Sequence, residues 1–204
     1  MSLHIFIPCK SLPESKSRLA GILGERERIE LSLSMLERTL ARAATLAPKA
    51  RCHLVSNDPD ARLLATKNGI ETIAGAGAGL NRALYHARGE LLKVDGQFEL
   101  LVLLVDLPYA TENALLELVT SGADVAIAPD RDLLGTNALY LGANASNEFP
   151  FRFGEKSFDV HCAAAPERQL TLAIRISDAL TFDLDTPEHY QEMQGRFPYL
   201  SVKE

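Results

Sequence analysis

The sequence has no tryptophan, only three cysteines and no long apolar segment. Cys9, Cys52 and Cys162 form no Cys-x-x-Cys pair and are odd in number, which favours free thiols in a reducing compartment over a disulfide framework. No segment approaches the roughly 20 apolar residues of a membrane span, and the apolar run in residues 1–8 is too short for a signal peptide. These absences predict a cytoplasmic protein that is neither secreted nor inserted in a membrane.

Excess positive charge is also absent. The formal net charge is -6 and the isoelectric point is near 5.4. This balance argues against a broad nucleic-acid-binding surface, although a local basic pocket could still take one small anion. A length of 204 residues with 47% hydrophobic residues predicts one domain spanning residues 1–204.

Several cofactor motifs are missing. The sequence has neither the Gly-x-x-x-x-Gly-Lys of a Walker loop nor the Gly-x-Gly-x-x-Gly of a dinucleotide-binding turn. Its histidines are scattered, without the spacing of a zinc site: His4, His53, His86, His161 and His189.

What is present is an alternation of short apolar runs with amphipathic segments. The pattern predicts strands at Leu3–Pro8, 51–56, 70–74, 100–105, 123–129, Thr136–Leu141 and 180–185. It predicts helices at 25–47, 58–68, about 80–93 and 111–121, one beginning near residue 156 or 157, and one following Pro187. Repeated strand–helix–strand units indicate an α/β fold with a mostly parallel sheet.

Two polar features follow apolar strands. Asp106 ends the run LLVLLVD, and ligands of open α/β sheets bind outside the carboxyl ends of strands. A turn or helix-capping role for Asp106 is about equally consistent with this segment alone. The loop after the first strand carries Lys10, Lys16 and Arg18, and its position favours phosphate binding, whereas a basic loop without that position is more often a solvated surface.

A glycine-rich turn precedes the third helix. Gly77, Gly79, Leu80 and Asn81 are candidates for nucleotide binding, because glycines allow close backbone approach and a helix N-terminus offers free N–H groups. An ordinary flexible turn is an equally good interpretation of the motif alone.

Two further acids lie near the end of the chain, in the segment LTFDLD. If this segment is a strand, Asp183 and Asp185 point to the same side. Two adjacent carboxylates repel each other unless a cation relieves them, and Mg²⁺ prefers such oxygen ligands. The sequence therefore predicts Mg²⁺ as the cofactor.

Six motifs together resemble a known family: IPCKSLPESKSRL, GAGLNRAL, LLVDLP, APDRDLLGTNAL, PFRFGEKSFDVH and FDLDTPEH. They are similar to the 2-phospho-L-lactate guanylyltransferases of coenzyme F420 biosynthesis, a family that includes phosphoenolpyruvate and 3-phospho-D-glycerate guanylyltransferases. The resemblance implies a Rossmann-like, three-layer nucleotidyltransferase fold of the glycosyltransferase-A type. It also implies an enzyme that joins GTP to a phosphorylated three-carbon acid and releases pyrophosphate, and it suggests homodimers.

The resemblance carries residue roles with it. By matching motif, Asp106, Asp183 and Asp185 would bind Mg²⁺. The negative charge of the leaving group then predicts that Lys10, Lys16 and Arg18 stabilise the departing pyrophosphate. The acceptor acid would be held by Thr136, Asn137, Gly154 and Ser157. The sequence departs from the family at Cys9, at Val105 and in the loop 132–134.

Two alternatives stay open. A molybdenum-cofactor guanylyltransferase or a sugar-phosphate cytidylyltransferase would share the fold, but such enzymes usually begin with a Gly-Gly-rich loop that IPCKSLPES lacks. A non-catalytic nucleotide-binding domain would be expected to have lost a carboxylate or the basic loop, and this chain retains both.

Overall fold

The computed structural model describes residues 1–46, 50–75 and 78–196. Its strands are β1 (Leu3–Pro8), β2 (Ala50–Val55), β3 (Glu71–Ile73), β4 (Glu99–Leu103), β5 (Val125–Pro129), β6 (Thr136–Leu141) and β7 (Leu172–Ile174). They form one seven-stranded sheet in the order β3-β2-β1-β4-β6-β5-β7. Only β6 runs antiparallel to its neighbours β4 and β5 in this sheet. The prediction of a mostly parallel α/β sheet is confirmed.

The helices are α1 (Glu25–Thr45), α2 (Pro59–Lys67), α3 (Leu80–Leu92), α4 (Glu112–Val119), α5 (Ser157–Glu167), α6 (Asp178–Thr181) and α7 (Pro187–Arg196). Buried residues of α1, α2, α4 and α6 share one hydrophobic cluster with the sheet, and those of α3 and α5 share another. Helices therefore cover both faces, which explains why β4 consists almost entirely of buried aliphatic residues. No helix in the described ranges is long and apolar enough to cross a bilayer.

Short polar side chains start several of these helices. The Asp58 carboxylate accepts hydrogen bonds from the backbone N–H groups of Asp60 and Ala61 at the start of α2, at 3.1 and 3.0 Å. The Thr111 hydroxyl accepts one from Ala114 N–H at the start of α4. Both residues satisfy N–H groups that have no partner within the helix, as their type at these positions predicts.

The predicted strand at 180–185 is wrong. Leu180 and Thr181 belong to α6, and the segment from Phe182 to Asp185 pairs with no strand. The segment is nevertheless extended at Phe182, and the side chains of Phe182 and Leu184 are buried against α1 and α7. Alternation is a property of extended backbone and does not require a sheet partner. The hydrophobic pattern therefore indicates which side chains are buried, but it does not show that the segment pairs with a strand.

Two other boundaries differ from expectation. The strand predicted to end directly before Asp106 ends at Leu103, so Asp106 lies in a turn beyond the strand. Strand β7 was not predicted, because it is only three residues long and only partly buried. The predicted end of the first helix, Ala47, lies outside the described residues, and α1 is described to Thr45.

The strand directions place several chain segments at one edge of the sheet. The carboxyl ends of the parallel strands β1, β2 and β4 lie there. Because β6 is antiparallel to β4, its first residues lie at the same edge, where Leu104 N–H donates to Asn137 O at 3.2 Å. The loops that carry most of the predicted functional residues thus meet at this edge.

Candidate active site

A cleft of about 640 Å³ opens at this edge of the sheet. Its walls come from the loop after β1, the end of β2, the turn before α3, the turn after β4 and the segment before α7. The lining includes Lys10, Lys16, Asn57, Gly79, Leu80, Asp106 and Asp185. Six of these seven residues were predicted from the sequence, and Asn57 was not.

Lys16 lies at the centre of the charged end of the cleft. Its ammonium nitrogen is 3.3 Å from Asp106 Oδ2 and 3.3 Å from Asp185 Oδ1, and it also donates to the backbone oxygen of Leu184. The side chain is only 10% exposed. Burial lowers the pKa of Lys16, but the attraction of Asp106 and Asp185 outweighs it, so the pKa lies above its ordinary value. Lys16 is therefore a charged, fully engaged group that links the basic loop to the acids.

The other two basic residues are more exposed. Arg18 lies at the rim with its side chain 72% exposed, and its guanidinium is 3.3 Å from Asp185 Oδ2. Lys10 is exposed and lines the cleft. Lys10 and Lys16 thus line the cleft, and Arg18 reaches it through its contact with Asp185.

Asp183 lies close enough to the other two acids to be affected by their charge. Burial, followed by the charges of Asp106 and Asp185, raises the pKa of Asp183 to about 6. The backbone oxygen of Asp106 accepts the N–H of Leu184 at 2.9 Å, which holds the turn after β4 against the segment that carries Asp183 and Asp185. Three carboxylates from two distant parts of the sequence therefore share one small region.

These acids have the chemistry of a Mg²⁺ site. Oδ1 of Asp106 is buried and has no hydrogen-bond partner among the described residues, so this carboxylate can accept a water or a cation. Within the described residues there is no complete cluster of three protein ligands in metal-binding geometry. Mg²⁺ in nucleotide enzymes is typically held by one or two carboxylates together with substrate phosphates, so Asp106 and Asp185 are sufficient in kind and number.

The turn before α3 and the start of that helix contribute to the wall of the cleft. Gly79 has φ +94°, a value that a side chain would strain, and both Gly79 and Leu80 line the cleft. Gly77 lies outside the described residues. Asn81 contacts the protein itself: its amide accepts from Phe153 N–H at 2.8 Å and donates to Phe153 O at 2.9 Å. Asn81 thus ties the start of α3 to the turn that precedes α5.

None of the four predicted acceptor residues lines the cleft, and three of them, Thr136, Asn137 and Ser157, are buried. Ser157 and Thr136 are each 2% exposed, and Ser157 Oγ accepts the backbone N–H of Thr136 at 2.9 Å. Thr136 Oγ1 lies 2.9 Å from His161 Nδ1, while His161 Nε2 accepts the N–H of Arg152 at 3.0 Å. Since a backbone N–H can only donate, the neutral imidazole carries its proton on Nδ1 and donates to Thr136.

The two remaining acceptor candidates differ in exposure. Gly154 is exposed and has φ +132°, which favours glycine. Asn137 is 4% exposed, and its amide donates to Leu180 O at 2.8 Å. Asn137 therefore fixes α6, and through it the segment that leads to Asp183.

A family model described as "Guanylyl transferase CofC like" matches residues 3–195 of this sequence. The chain belongs to this family. Members of this family are enzymes of the nucleotidyltransferase class. The match spans every element that contributes to the cleft.

Curated relatives of this guanylyl transferase family member match over nearly all of its length. A phosphoenolpyruvate guanylyltransferase of Chloroflexus aggregans is 38% identical over 93% of this chain and 96% of its own. One of Sphaerobacter thermophilus is 36% identical over 97% and 95%. A 3-phospho-D-glycerate guanylyltransferase of Colwellia psychrerythraea is 31% identical over 92% and 89%.

Solved structures of low sequence identity share the fold of this guanylyl transferase family member. CMP:2-keto-3-deoxy-manno-octonic acid synthetase in complex with CTP superimposes with a TM-score of 0.65 at 13% identity, covering 98% of this chain and 99% of that one. Glucosyl-3-phosphoglycerate synthase from Mycobacterium tuberculosis, in complex with Mn²⁺, UDP and glucosyl-3-phosphoglycerate, gives 0.65 at 10% identity, covering 96% and 76%. The expected nucleotidyltransferase and glycosyltransferase-A type of fold is confirmed.

Asp58 connects the basic loop of the guanylyl transferase to the start of α2, a role that was not predicted from the sequence. One carboxylate oxygen caps α2, and the other accepts the N–H of Leu12 in the basic loop at 2.9 Å. The Asn-Asp-Pro sequence predicted a turn and a helix start, and it contained no signal for the contact with a loop 46 residues earlier.

Cys9, at which the sequence was expected to depart from the family pattern, lines the cleft. Burial and the nearby Asp58 charge raise the pKa of its thiol to about 12. A raised pKa keeps the thiol protonated at neutral pH, so Cys9 lines the cleft as a neutral side chain.

Proposed function

We propose that the chain transfers GMP from GTP to a phosphorylated three-carbon acid, with release of pyrophosphate, in coenzyme F420 biosynthesis. The observation that carries the proposal is the meeting of Lys16 with Asp106 and Asp185 in one cleft. The names of the relatives support a guanylyl donor, and phosphoenolpyruvate is the acceptor we favour because the relatives with 38% and 36% identity carry that name.

The chemistry would be an in-line displacement at the α-phosphorus. An oxygen of the acceptor phosphate forms a bond to that phosphorus, the bond to the bridging oxygen breaks, and pyrophosphate leaves with the electron pair. A phosphate with a second pKa near 6 is largely ionised at neutral pH, so no strong general base is required. The main barrier is the repulsion between two polyanions.

The residues of the cleft are suited to reduce this repulsion. Asp106 and Asp185, with Asp183 beside them, would hold Mg²⁺, which supplies charge neutralisation at the α-phosphoryl group. Lys10, Lys16 and Arg18 would bind the leaving pyrophosphate, and Gly79 with Leu80 would allow close approach of the nucleotide. Gly77 and Asn81 keep their predicted roles on the nucleotide side, with Asn81 acting through its contact with Phe153.

The acceptor would lie beside the start of β6. Among the described residues the hydroxyl proton of the buried Ser157 has no acceptor, so this hydroxyl would donate to an anion that enters the subsite. The first two N–H groups of α5 already donate to Gly154 O and Leu134 O, so the helix would contribute mainly through its dipole. The exposed Gly154 leaves its backbone open on the same side. Thr136 and Asn137 would shape this subsite through their buried hydrogen bonds.

The test is a pyrophosphate-release assay with the purified protein and Mg²⁺. GTP is combined in turn with phosphoenolpyruvate, 2-phospho-L-lactate and 3-phospho-D-glycerate, and the product is identified by mass spectrometry. We expect release that depends on both GTP and the acid, with ATP and CTP as control nucleotides. Release with a sugar phosphate and CTP, or none with any acid, would contradict the proposal.

The homodimer and the single domain over 1–204 also stay predictions. Light scattering can test the first, and limited proteolysis the second.

A further inference from the structure

We infer that Lys16 is a built-in counter-cation, which occupies the position between Asp106 and Asp185 in the metal-free protein and is displaced when a divalent cation binds. The inference rests on the proposed function, because it takes these two acids to be the residues that hold the metal. It goes beyond that function in one respect: when the divalent cation replaces the ammonium at the acids, the ammonium becomes available to bind the nucleotide phosphates.

The first step of the argument is the number of bonds that the ammonium can make. A lysine ammonium has three N–H donors and no acceptor. Lys16 meets three oxygens, from Asp106, Asp185 and the Leu184 backbone, so all its donors are occupied. In this arrangement Lys16 has no donor left for a phosphate.

The second step is the position of those oxygens. Asp106 Oδ2 and Asp185 Oδ1 are each 3.3 Å from the same nitrogen and therefore face one point. Carboxylate and carbonyl oxygens are the ligands of Mg²⁺ and Mn²⁺. A divalent cation that uses these two carboxylates would share their region with the ammonium, and two cations at such short range repel each other.

The third step is the backbone at Lys16. Its φ is +52°, a left-handed conformation that is uncommon for residues other than glycine. Such a conformation persists where surrounding contacts over-determine it. The contacts of the Lys16 side chain with the acids are suited to this role, so the loop holds the ammonium in place at the carboxylates.

Removal of a positive charge would strengthen metal binding to some degree wherever it occurred, so the test needs a matched control. Arg18 provides one, because its guanidinium contacts the same Asp185 carboxylate at 3.3 Å but lies at the exposed rim. Lys16→Gln and Arg18→Gln each remove one charge next to Asp185. Only Lys16→Gln also vacates the point that both carboxylates face.

The experiment measures Mn²⁺ binding by electron paramagnetic resonance, without nucleotide, for the wild type and both variants. We expect Lys16→Gln to tighten the Mn²⁺ dissociation constant by about tenfold or more, and Arg18→Gln to change it by less than about threefold. Equal effects of the two variants, weaker binding by Lys16→Gln, or no measurable binding to any of the proteins would overturn the inference.

A second measurement uses the wild-type protein alone and does not depend on the folding of a variant. In protein with ¹⁵N-labelled lysine side chains, the engaged Lys16 ammonium should give a signal protected from solvent exchange, and Mg²⁺ should remove it. A protected signal that persists at saturating Mg²⁺ would overturn the inference. Pyrophosphate release by the same preparation tests the proposed function separately, since either result can fail while the other holds.

Discussion

The two carboxylate oxygens of Asp106 have different surroundings. One oxygen contacts Lys16, and the other is buried without a partner among the described residues. An isosteric change from aspartate to asparagine keeps the shape and removes the charge, so it separates the electrostatic role of this residue from its packing.

We expect Asp106→Asn to lower the rate of pyrophosphate release by at least about 10², the size of effect seen when an electrostatic stabiliser of a transition state is lost. Thermal unfolding should show that the variant is folded. Asp60→Asn, which changes an exposed acid on α2, is the control and should retain activity. Near-normal turnover of Asp106→Asn with unchanged Mg²⁺ dependence would remove Asp106 from the metal site.

Ser157 has both a structural contact and a predicted substrate contact. Ser157→Ala leaves the buried N–H of Thr136 without its acceptor, which should lower the free energy of unfolding by about 1–3 kcal/mol. Loss of a hydrogen bond to a charged acceptor acid should also raise the KM for that acid about tenfold or more. The KM for GTP is the internal control and should change little. A stability loss with unchanged KM values would make Ser157 purely structural.

At the scale of elements, the loop between β5 and β6 is organised by one carboxylate. Asp130 accepts the N–H groups of Leu134 and Gly135 at 2.8 and 2.7 Å. A Cβ atom added at Gly135 would lie 2.6 Å from Asp130 Oδ2. A side chain at residue 135 would thus push the Asp130 carboxylate away from the two N–H groups that it accepts in the loop before Thr136.

Gly135→Ala should therefore lower the free energy of unfolding by about 1–3 kcal/mol, the usual range for overpacking. Gly21→Ala is the matched control, because nothing lies within 4 Å of its added Cβ and its φ is unexceptional. We expect that control to stay within about 0.5 kcal/mol of the wild type. Urea unfolding of the three proteins measures both effects, and equal midpoints for the two variants would contradict this account of the loop.

The sequence predicted elements best where burial and turn chemistry agree. Strand β6 has its predicted bounds, and α7 begins at Pro187 after Thr186 as expected. The error at 180–185 arose because Phe182 and Leu184 are buried against helices, and burial against helices produces the same alternation as burial in a sheet. The basic loop and Asp106 were found through their positions after strands, whereas the contact of Asp58 with Leu12 depends on tertiary packing that no local pattern encodes.

At the scale of the whole molecule, buried histidines affect stability in acid. Burial lowers the pKa of His161 to about 4, and burial together with the His4 charge lowers that of His53 to about 4. The unfolded chain binds protons to these groups below its ordinary histidine pKa near 6.5, while the folded chain does not. Their contribution therefore makes the folded state less stable as the pH falls from about 6.5 to 4.

Substitution of one histidine tests this sign. His161→Gln removes a titrating group, so the loss of stability between pH 6.5 and 4 should be smaller than in the wild type, by up to about 3 kcal/mol. Asp183 acts oppositely, since its pKa is raised to about 6 and the folded state then holds the extra proton. The comparison between wild type and variant cancels that contribution. Urea unfolding across this pH range provides the data, and parallel profiles would show that His161 does not titrate as described.

The position of β6 in the sheet affects the order in which strands can pair during translation. β6 lies between β4 and β5 in the sheet but follows both in the sequence. In a nascent chain that has emerged only as far as Pro129, β4 can pair with β1 on one edge, but its other edge has no native partner and is open to mispairing. The middle of the sheet closes only when Thr136–Leu141 inserts, and the same event brings Thr136 to the edge where Asp106 already lies.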